Sequence, residues 1–212
     1  MKLEEEIDHL CQMMVKMSEQ VIENLKNALD IYYNFDEKKL DLINDDIVDL
    51  HERLIEETCL NIMLRVRPYA RDLRMVSGIL KCVEDVERLG DHAEDIRDFA
   101  VKLKNEAHHE IAKLDQAIDV TIKMVNDSVQ SFVNKDIKLA NDVIKRDDIV
   151  DELYEQCLST IIENDKKEFS SEFSVYTTLI VKYIERIADH AVNISEWVVY
   201  ILSGYYKDKQ IF

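Results

Sequence analysis

From Ile79 to Leu103 apolar residues fall at Ile79, Cys82, Val86, Leu89, Ala93, Ile96, Ala100 and Leu103. The steps alternate three and four without a break. Only an amphipathic α-helix puts such a series on one face. A helix with this seam must bury it, and antiparallel helices with such seams pack into bundles. The chain has 3 Gly and 1 Pro in 212 residues. So little turn chemistry leaves room for few loops and long helices, and argues against a β-rich fold.

Two heptapeptides set the organisation. Glu87-Arg88-Leu89-Gly90-Asp91-His92-Ala93 is matched, 98 residues on, by Glu185-Arg186-Ile187-Ala188-Asp189-His190-Ala191. Upstream, Asp45-Asp46-Ile47-Val48-Asp49 recurs letter for letter as Asp147-Asp148-Ile149-Val150-Asp151. Four landmarks in one order, at nearly one spacing, indicate an internal repeat of half the chain. The expected fold is all-α: two tandem three-helix bundles, residues 1–105 and 106–212, with six helices and no sheet.

The first helix is expected from Leu3 to Tyr33, with a seam of Ile7, Leu10, Met14, Met17, Val21, Leu25, Ala28 and Tyr32. Asp36 is a candidate N-cap. A second helix follows to Arg65, with Leu40, Ile43, Ile47, Leu50 and Leu54 inward, and Val48 and Ile55 flanking. Pro68 marks the start of the third helix, since proline is tolerated in a first turn. Ile111, Leu114, Ile118, Val125, Val129 and Phe132 mark the fourth. Val143, Val150, Leu153, Cys157 and Ile161 mark the fifth. Ile180, Ile184, Ile187, Ala191, Ile194, Val198 and Ile201 mark the last, which Gly204 ends.

The formal net charge is -17. Such a chain is repelled by nucleic acid and by anionic lipid. The one basic stretch is Arg65-Val66-Arg67-Pro68-Tyr69-Ala70-Arg71-Asp72-Leu73-Arg74. Cys11, Cys59, Cys82 and Cys157 form no C-x-x-C and sit at apolar helical positions, which reads as reduced core cysteine in a cytosolic protein. The acidic N-terminus has no signal-peptide pattern, and no apolar run approaches the length of a membrane span.

The carboxylates carry the candidate chemistry. With Val86 and Leu89 as heptad positions a and d, Glu87 and Asp91 fall at b and f, on the outward side. Glu185 and Asp189 repeat this around Ile184 and Ile187. Residues four apart stand about 5–6 Å from each other on a helix, close enough for one cation to bridge both. Like charges at that spacing destabilise a helix by roughly 0.2–0.5 kcal/mol. Repeating that cost in both units points to a use. The expected metal ligands are Asp45, Asp49, Glu87 and Asp91 in one face, and Asp147, Asp151, Glu185 and Asp189 in the other. An all-oxygen set favours hard cations such as Mg²⁺, Ca²⁺, Mn²⁺ or Fe³⁺ and admits Zn²⁺. His92 and His190, beside the acids, read as histidines hydrogen-bonded to a neighbouring helix, or as peripheral ligands. Arg88 and Arg186 read as partners of nearby acids.

Two other readings stand beside this one. A ferritin-like di-iron centre wants two E-x-x-H motifs in a four-helix core. Matches exist at Glu6-Ile7-Asp8-His9 and Glu106-Ala107-His108-His109, both at helix ends. A helical scaffold without any site is the other. No phosphate-binding loop, dinucleotide fingerprint or nucleophile elbow is present.

At these residues the chain resembles the PhoU family of phosphate-uptake regulators. The paired heptapeptides, the acidic pairs at Asp45/Asp49 and Asp147/Asp151, the Arg67-Pro68 to Arg74 segment and the Glu196…Tyr200…Gly204 ending carry the resemblance over nearly the whole chain. Ala188 replaces Gly90 in the second unit, Asn193 stands where the first unit has Asp95, and the proline has no counterpart there. Asp95 is thus an extra candidate ligand in the first face. The resemblance implies a non-enzymatic adaptor, cytoplasmic and peripheral to the inner membrane through its partners. Those partners are a phosphate ABC transporter with its ATPase subunit and a sensor histidine kinase, and the output is damping of the phosphate-starvation response. It also implies iron or zinc clusters, beside the magnesium or manganese that the oxygen ligands admit, and a homodimer.

Overall fold

The computed structural model describes residues 3–165, 167–207 and 209–210. Helix α1 runs Leu3–Tyr33 and buries Leu10, Met14, Met17, Val21, Leu25, Ala28 and Tyr32. After it comes a short 3-10 turn, Glu37–Leu42, where Asp36 caps by accepting from the Lys38 N–H at 3.0 Å. Helix α2 then spans Asp45–Val66 and α3 Ala70–Leu103. In the second half α4 is Leu114–Asn134, α5 Ile137–Lys145, α6 Asp147–Asn164 and α7 Ser171–Ser203.

Seven α-helices therefore stand, among the described residues, where the repeat predicts six. The second helix of each unit is divided. In the first unit Asn44 is the cause: its side chain accepts from the Ile47 N–H at 3.3 Å, and Asp45 and Asp46 occupy the first turn that follows. A capping side chain and acids in the first turn stabilise a new helix start. In the second unit the division falls at Arg146, between α5 and α6. Beyond α7 and Gly204, Tyr205–Tyr206 (β1) pairs antiparallel with Lys209–Gln210 (β2), a two-residue ribbon where none is expected.

The new start at Asp45 changes the phase of α2. The expected inward residues Ile47, Leu50 and Leu54 are exposed. The buried stripe is Val48, Ile55, Cys59 and Ile62. The pattern beginning at Leu40 and Ile43 cannot be continued through a break at Asn44, so the helix turns a different face to the core. Helix α3 likewise begins at Ala70 rather than at Pro68. The connection between α2 and α3 is only Arg67 to Tyr69, with Arg67 in the left-handed region at φ 50°. That short link makes the two helices antiparallel neighbours.

α1, α2 and α3 form one three-helix unit. α4, the divided α5–α6 and α7 form the second. The units join along α3 and α7, the two longest helices. Their contacts run in opposite directions: Gly78 meets Ile201, Cys82 Sγ reaches the Ile194 carbonyl at 4.0 Å, and the His92 ring lies tilted against Tyr183. Phe99 stacks on Tyr183 and lies beside Tyr176. The helices thus run antiparallel, and buried residues of both halves form one continuous core.

The tightest approach is at Gly78. A Cβ there would lie 2.2 Å from Ile201 Cγ1 and 2.7 Å from its Cδ1. Alanine would add about 1 kcal/mol of helix propensity, but overpacking a full core costs about 1–3 kcal/mol. Gly78→Ala is expected to lower the melting temperature. The same change made together with Ile201→Ala, which vacates the space, is expected to raise it relative to Ile201→Ala alone. Thermal melts of the four proteins check the change of sign.

Candidate metal centres

The corrected phase of α2 aims its acids at α3. Asp45 is the first residue of α2, and its Oδ1 lies 2.7 Å from where a Cβ on Gly90 would be. A Cβ there would oblige that oxygen to shift. That oxygen is buried and has no hydrogen-bond partner. Asp49 follows one turn later, while Glu87 and Asp91 sit one turn apart on α3. All four are half-buried rather than outward, because α2 covers the flank of α3 that the heptad assignment leaves to solvent.

Asp45 and Glu87 both feel the charges of the other acids. Burial, then the charges of Glu94, Asp49, Asp91 and Asp46, push the Asp45 carboxyl up to about 7. Burial and Asp91 push Glu87 up to about 7, with Glu52 and Asp45 adding to this and Arg88 opposing it. Each is a carboxyl whose charged form is disfavoured by desolvation and by like charge. Arg88 tempers the patch: its Nη1 donates to Asp91 Oδ2 at 2.6 Å, and its Nε stands 3.5 Å from Glu87 Oε2. Arg53 lies 3.5 Å from Asp49.

The second face repeats this with a different balance. Burial, then Asp189, Asp151, Asp148 and Glu185, push Asp147 up to about 6. Burial and Glu185 raise Asp189, against Lys182. Lys182 Nζ donates to Glu185 Oε2 at 2.5 Å and lies over the Tyr154 ring. The positions that match Lys182 and Tyr154 in the first unit are Glu84 and Glu52. The first face is thus the more negative of the two.

Glu52 and Glu94 join the first face although neither belongs to the duplicated motifs. The signal that could have found them is helical spacing: Glu52 is three residues after Asp49, and Glu94 three after Asp91. Asp95, by contrast, turns toward α7. It hydrogen-bonds Tyr183 and lies 3.6 Å from His92 Nδ1, so it is not part of the Asp45 patch. His190 Nδ1 pairs with Asp85 Oδ1 at 2.9 Å across the α3–α7 seam, and Asn193 Nδ2 donates to the same oxygen at 3.0 Å. His92 is buried without a hydrogen-bond partner, between Tyr183 and His190. Burial, His190, Arg186 and Arg88 hold it neutral, down to about 3.

The di-iron motifs have other roles. Glu106 accepts from Ser170 Oγ at 2.6 Å, and His109 packs on Phe169 and Phe173. His9 is exposed. The four cysteines are free, and burial raises their thiols. Among the described residues no three His, Cys, Asp or Glu side chains stand already arranged as one ion's ligand set. The quartets are acidic faces under mutual repulsion.

That repulsion has a sign that melting can read. Unfolded carboxyls titrate near 4. Between about pH 4 and 7 the folded chain holds protons at Asp45, Glu87 and Asp147 that the unfolded chain has released. Where the folded state binds more protons, stability falls as pH rises. In excess chelator, an Asp45→Asn, Glu87→Gln, Asp147→Asn variant is expected to gain on the unmodified chain between pH 5 and 7.5. The scale is about 2–4 °C for each kcal/mol of repulsion removed. A gap in melting temperature that does not widen with pH would contradict the shared patch.

A family model, the PhoU domain, matches the chain twice, over residues 14–100 and 108–198. The chain is 31% identical over 207 residues to a phosphate-specific transport system accessory protein PhoU homolog of Clostridium acetobutylicum, covering 95% of this chain and 94% of that one. It is 35% identical over 210 residues to the homolog of Aquifex aeolicus, covering 96% and 94%. The fold superimposes with a TM-score of 0.90 on the phosphate transport system regulatory protein PhoU of Streptococcus pneumoniae, at 27% identity, covering 98% of this chain and 100% of that one. For PhoU of Pseudomonas aeruginosa the TM-score is 0.91, again at 27% identity, covering 96% and 100%. With both halves matched and the whole fold superimposed, this chain is a member of the PhoU family.

Proposed function

We propose that this chain regulates phosphate uptake as a cation-charged adaptor, not as a catalyst. It links a phosphate ABC transporter, through its ATPase subunit, to a sensor histidine kinase, and damps the starvation response when phosphate is ample. Family membership and the names of its relatives support the phosphate role. No helix among the described residues is long and apolar enough to cross a membrane. The proposed location, from the family resemblance, is the cytoplasmic face of the inner membrane, reached through partners. The working form is a homodimer.

One observation carries the metal part: a buried Asp45 oxygen without a partner, within a patch that holds two carboxyls near pH 7. A bound cation would satisfy that oxygen and offset the repulsion. Asp45, Asp49, Glu87 and Asp91 would hold it in the first face, and Asp147, Asp151, Glu185 and Asp189 in the second. Oxygen donors suit hard ions, and iron or zinc follow from the family resemblance. When bound, the ion supplies positive charge on an otherwise negative surface, which a partner can read.

Glu87→Gln with Asp91→Asn tests this with near-isosteric neutral side chains. The unmodified chain is expected to carry metal and to lose melting temperature on chelation, modestly, since the apolar core stays intact. The double variant is expected to lose the first face's metal and most of that shift. Equal metal content in both proteins, with no chelator effect on either, would remove the metal reading. Affinity should fall as pH drops toward 5, where the ligands protonate. Phosphate-regulon output in a deletion strain, complemented by each protein, tests the regulatory part.

The basic segment Arg65 to Arg74 is the proposed contact for the membrane complex. Arg65, Arg67 and Arg71 are exposed. Reversal of charge at Arg67 and Arg71 is expected to abolish transporter or kinase co-purification without moving the melting curve. Retention of both partners would place the contact elsewhere.

A further inference from the structure

Glu106 and His108 belong to an E-x-x-H match that no iron site claims. Together with Tyr32, Tyr33, Phe35 and Phe173 they line a cavity of about 150 Å³, where the ends of α1 and α3 meet the start of α7. Tyr32, Tyr33 and His108 touch one another in all three pairs, with ring centroids 5.0, 5.8 and 5.6 Å apart and planes at 66°, 68° and 60°. Rings so tilted wall a cavity on several sides, where stacked rings would offer it one face. Tyr32 and Phe173 are buried, Tyr33 is half-buried, and Phe35 and His108 are exposed, so the cavity reaches the surface. The repeat supplies an internal control. Asp36 and Asp136 are equivalent caps, each accepting from the N–H two residues on. Counted back from them, the second unit has Phe132, Val133 and Lys135 where the first has Tyr32, Tyr33 and Phe35. The second bundle forms without a ring at the last two places.

The face of an aromatic ring is negative, and a cation over it is attracted. Tyr33 donates its hydroxyl to Asp115 Oδ1 at 2.5 Å, which adds electron density to its ring. Glu106 accepts from Ser170 Oγ and brings a negative charge to the wall, while Lys104 at the rim opposes it. A metal ion needs several oxygen ligands, and this wall offers one carboxylate. A primary ammonium would lose hydrogen bonds to water that rings do not replace. An ammonium carrying only methyl groups has none to lose, and its methyls match the ring walls. At about 30 Å³ for each water-sized group, the cavity takes roughly five non-hydrogen atoms, the number in a quaternary methylammonium head. We infer that this cavity binds a methylated ammonium group, with Tyr32, Tyr33, Phe35 and His108 as its walls and Glu106 as its counter-charge. The inference rests on neither the phosphate nor the metal reading.

Calorimetric titration of the full chain at fixed ionic strength tests it, with choline and with dimethylbutanol, the neutral carbon isostere of choline. Choline is expected to bind saturably, and dimethylbutanol at least about tenfold more weakly. Tyr33→Val carries the side chain that the second unit has at Val133, and Phe35→Leu alters an exposed ring. Both variants are therefore expected to keep the far-UV spectrum and melting curve. Each is expected to weaken choline about threefold or more. Glu106→Gln is expected to weaken choline and to leave dimethylbutanol unchanged. Equal binding of the two probes would make this an apolar hole and overturn the cation. Choline that binds Tyr33→Val and Phe35→Leu as well as it binds the unmodified chain sits elsewhere and overturns the cavity. No saturable binding of choline at millimolar concentration overturns both.

Discussion

The α3–α7 contact is what the rest of the molecule hangs on. Neither three-helix unit closes its own core, because each turns one long helix toward the other unit. Gly78 lets Ile201 approach within a distance no side chain would permit, and this fixes the register at one end. Asp85 fixes it nearer the middle, partnered with His190 and accepting from Asn193. Phe99, Tyr176 and Tyr183 fill the other end. Apolar packing supplies the free energy there, and the Asp85 pairing supplies direction, since a hydrogen bond needs defined partners.

That contact also explains where the two heptapeptides lie. Because α3 and α7 run antiparallel and the repeat offset is 98 residues, equivalent positions approach each other near the centre. His92 and His190 are such a pair, with ring centroids 5.4 Å apart. Each heptapeptide thus has two jobs on two sides. Leu89, Ala93, Ile187 and Ala191 are buried in the common core. Glu87 and Asp91 turn instead to α2, and Glu185 and Asp189 to α6, where their repulsion is with Asp45 and Asp147. The histidine is held neutral by the burial that the core side requires.

Much of this was legible in the residues. The α3 and α7 seams are uninterrupted, so the buried positions follow from spacing alone, and all eight quartet residues fall in two faces as the repeat implies. The phase of α2 was not legible. Its sequence carries two apolar stripes, and periodicity cannot say which one faces inward. The choice depends on the break at Asn44, a local capping event that outweighs the continuity of the pattern. Misplacing that phase is also why Glu87 and Asp91 read as outward: their burial is created by a neighbouring helix rather than by their own. Glu52 and Glu94 escaped for the same reason. They lie outside the duplicated motifs and matter only because α2 and α3 bring them together. Asp95 shows the converse. It stands four residues after Asp91, yet its side chain hydrogen-bonds Tyr183 on α7.

The two faces carry the same set of acids in different surroundings. The quartets are identical in type, but Lys182 answers Glu185 directly, and no lysine stands at the matching place in the first unit. There Glu84 and Glu52 replace Lys182 and Tyr154, and Glu94 adds a further acid where the second unit has Val192. A lysine already hydrogen-bonded to one carboxylate does part of what a bound cation would do, so the second face has less to gain from one. The first face, with a more acidic surround and an unpartnered Asp45 oxygen, has more. Under the proposed metal reading, an ion held at the first face would therefore offset more uncompensated negative charge than one held at the second.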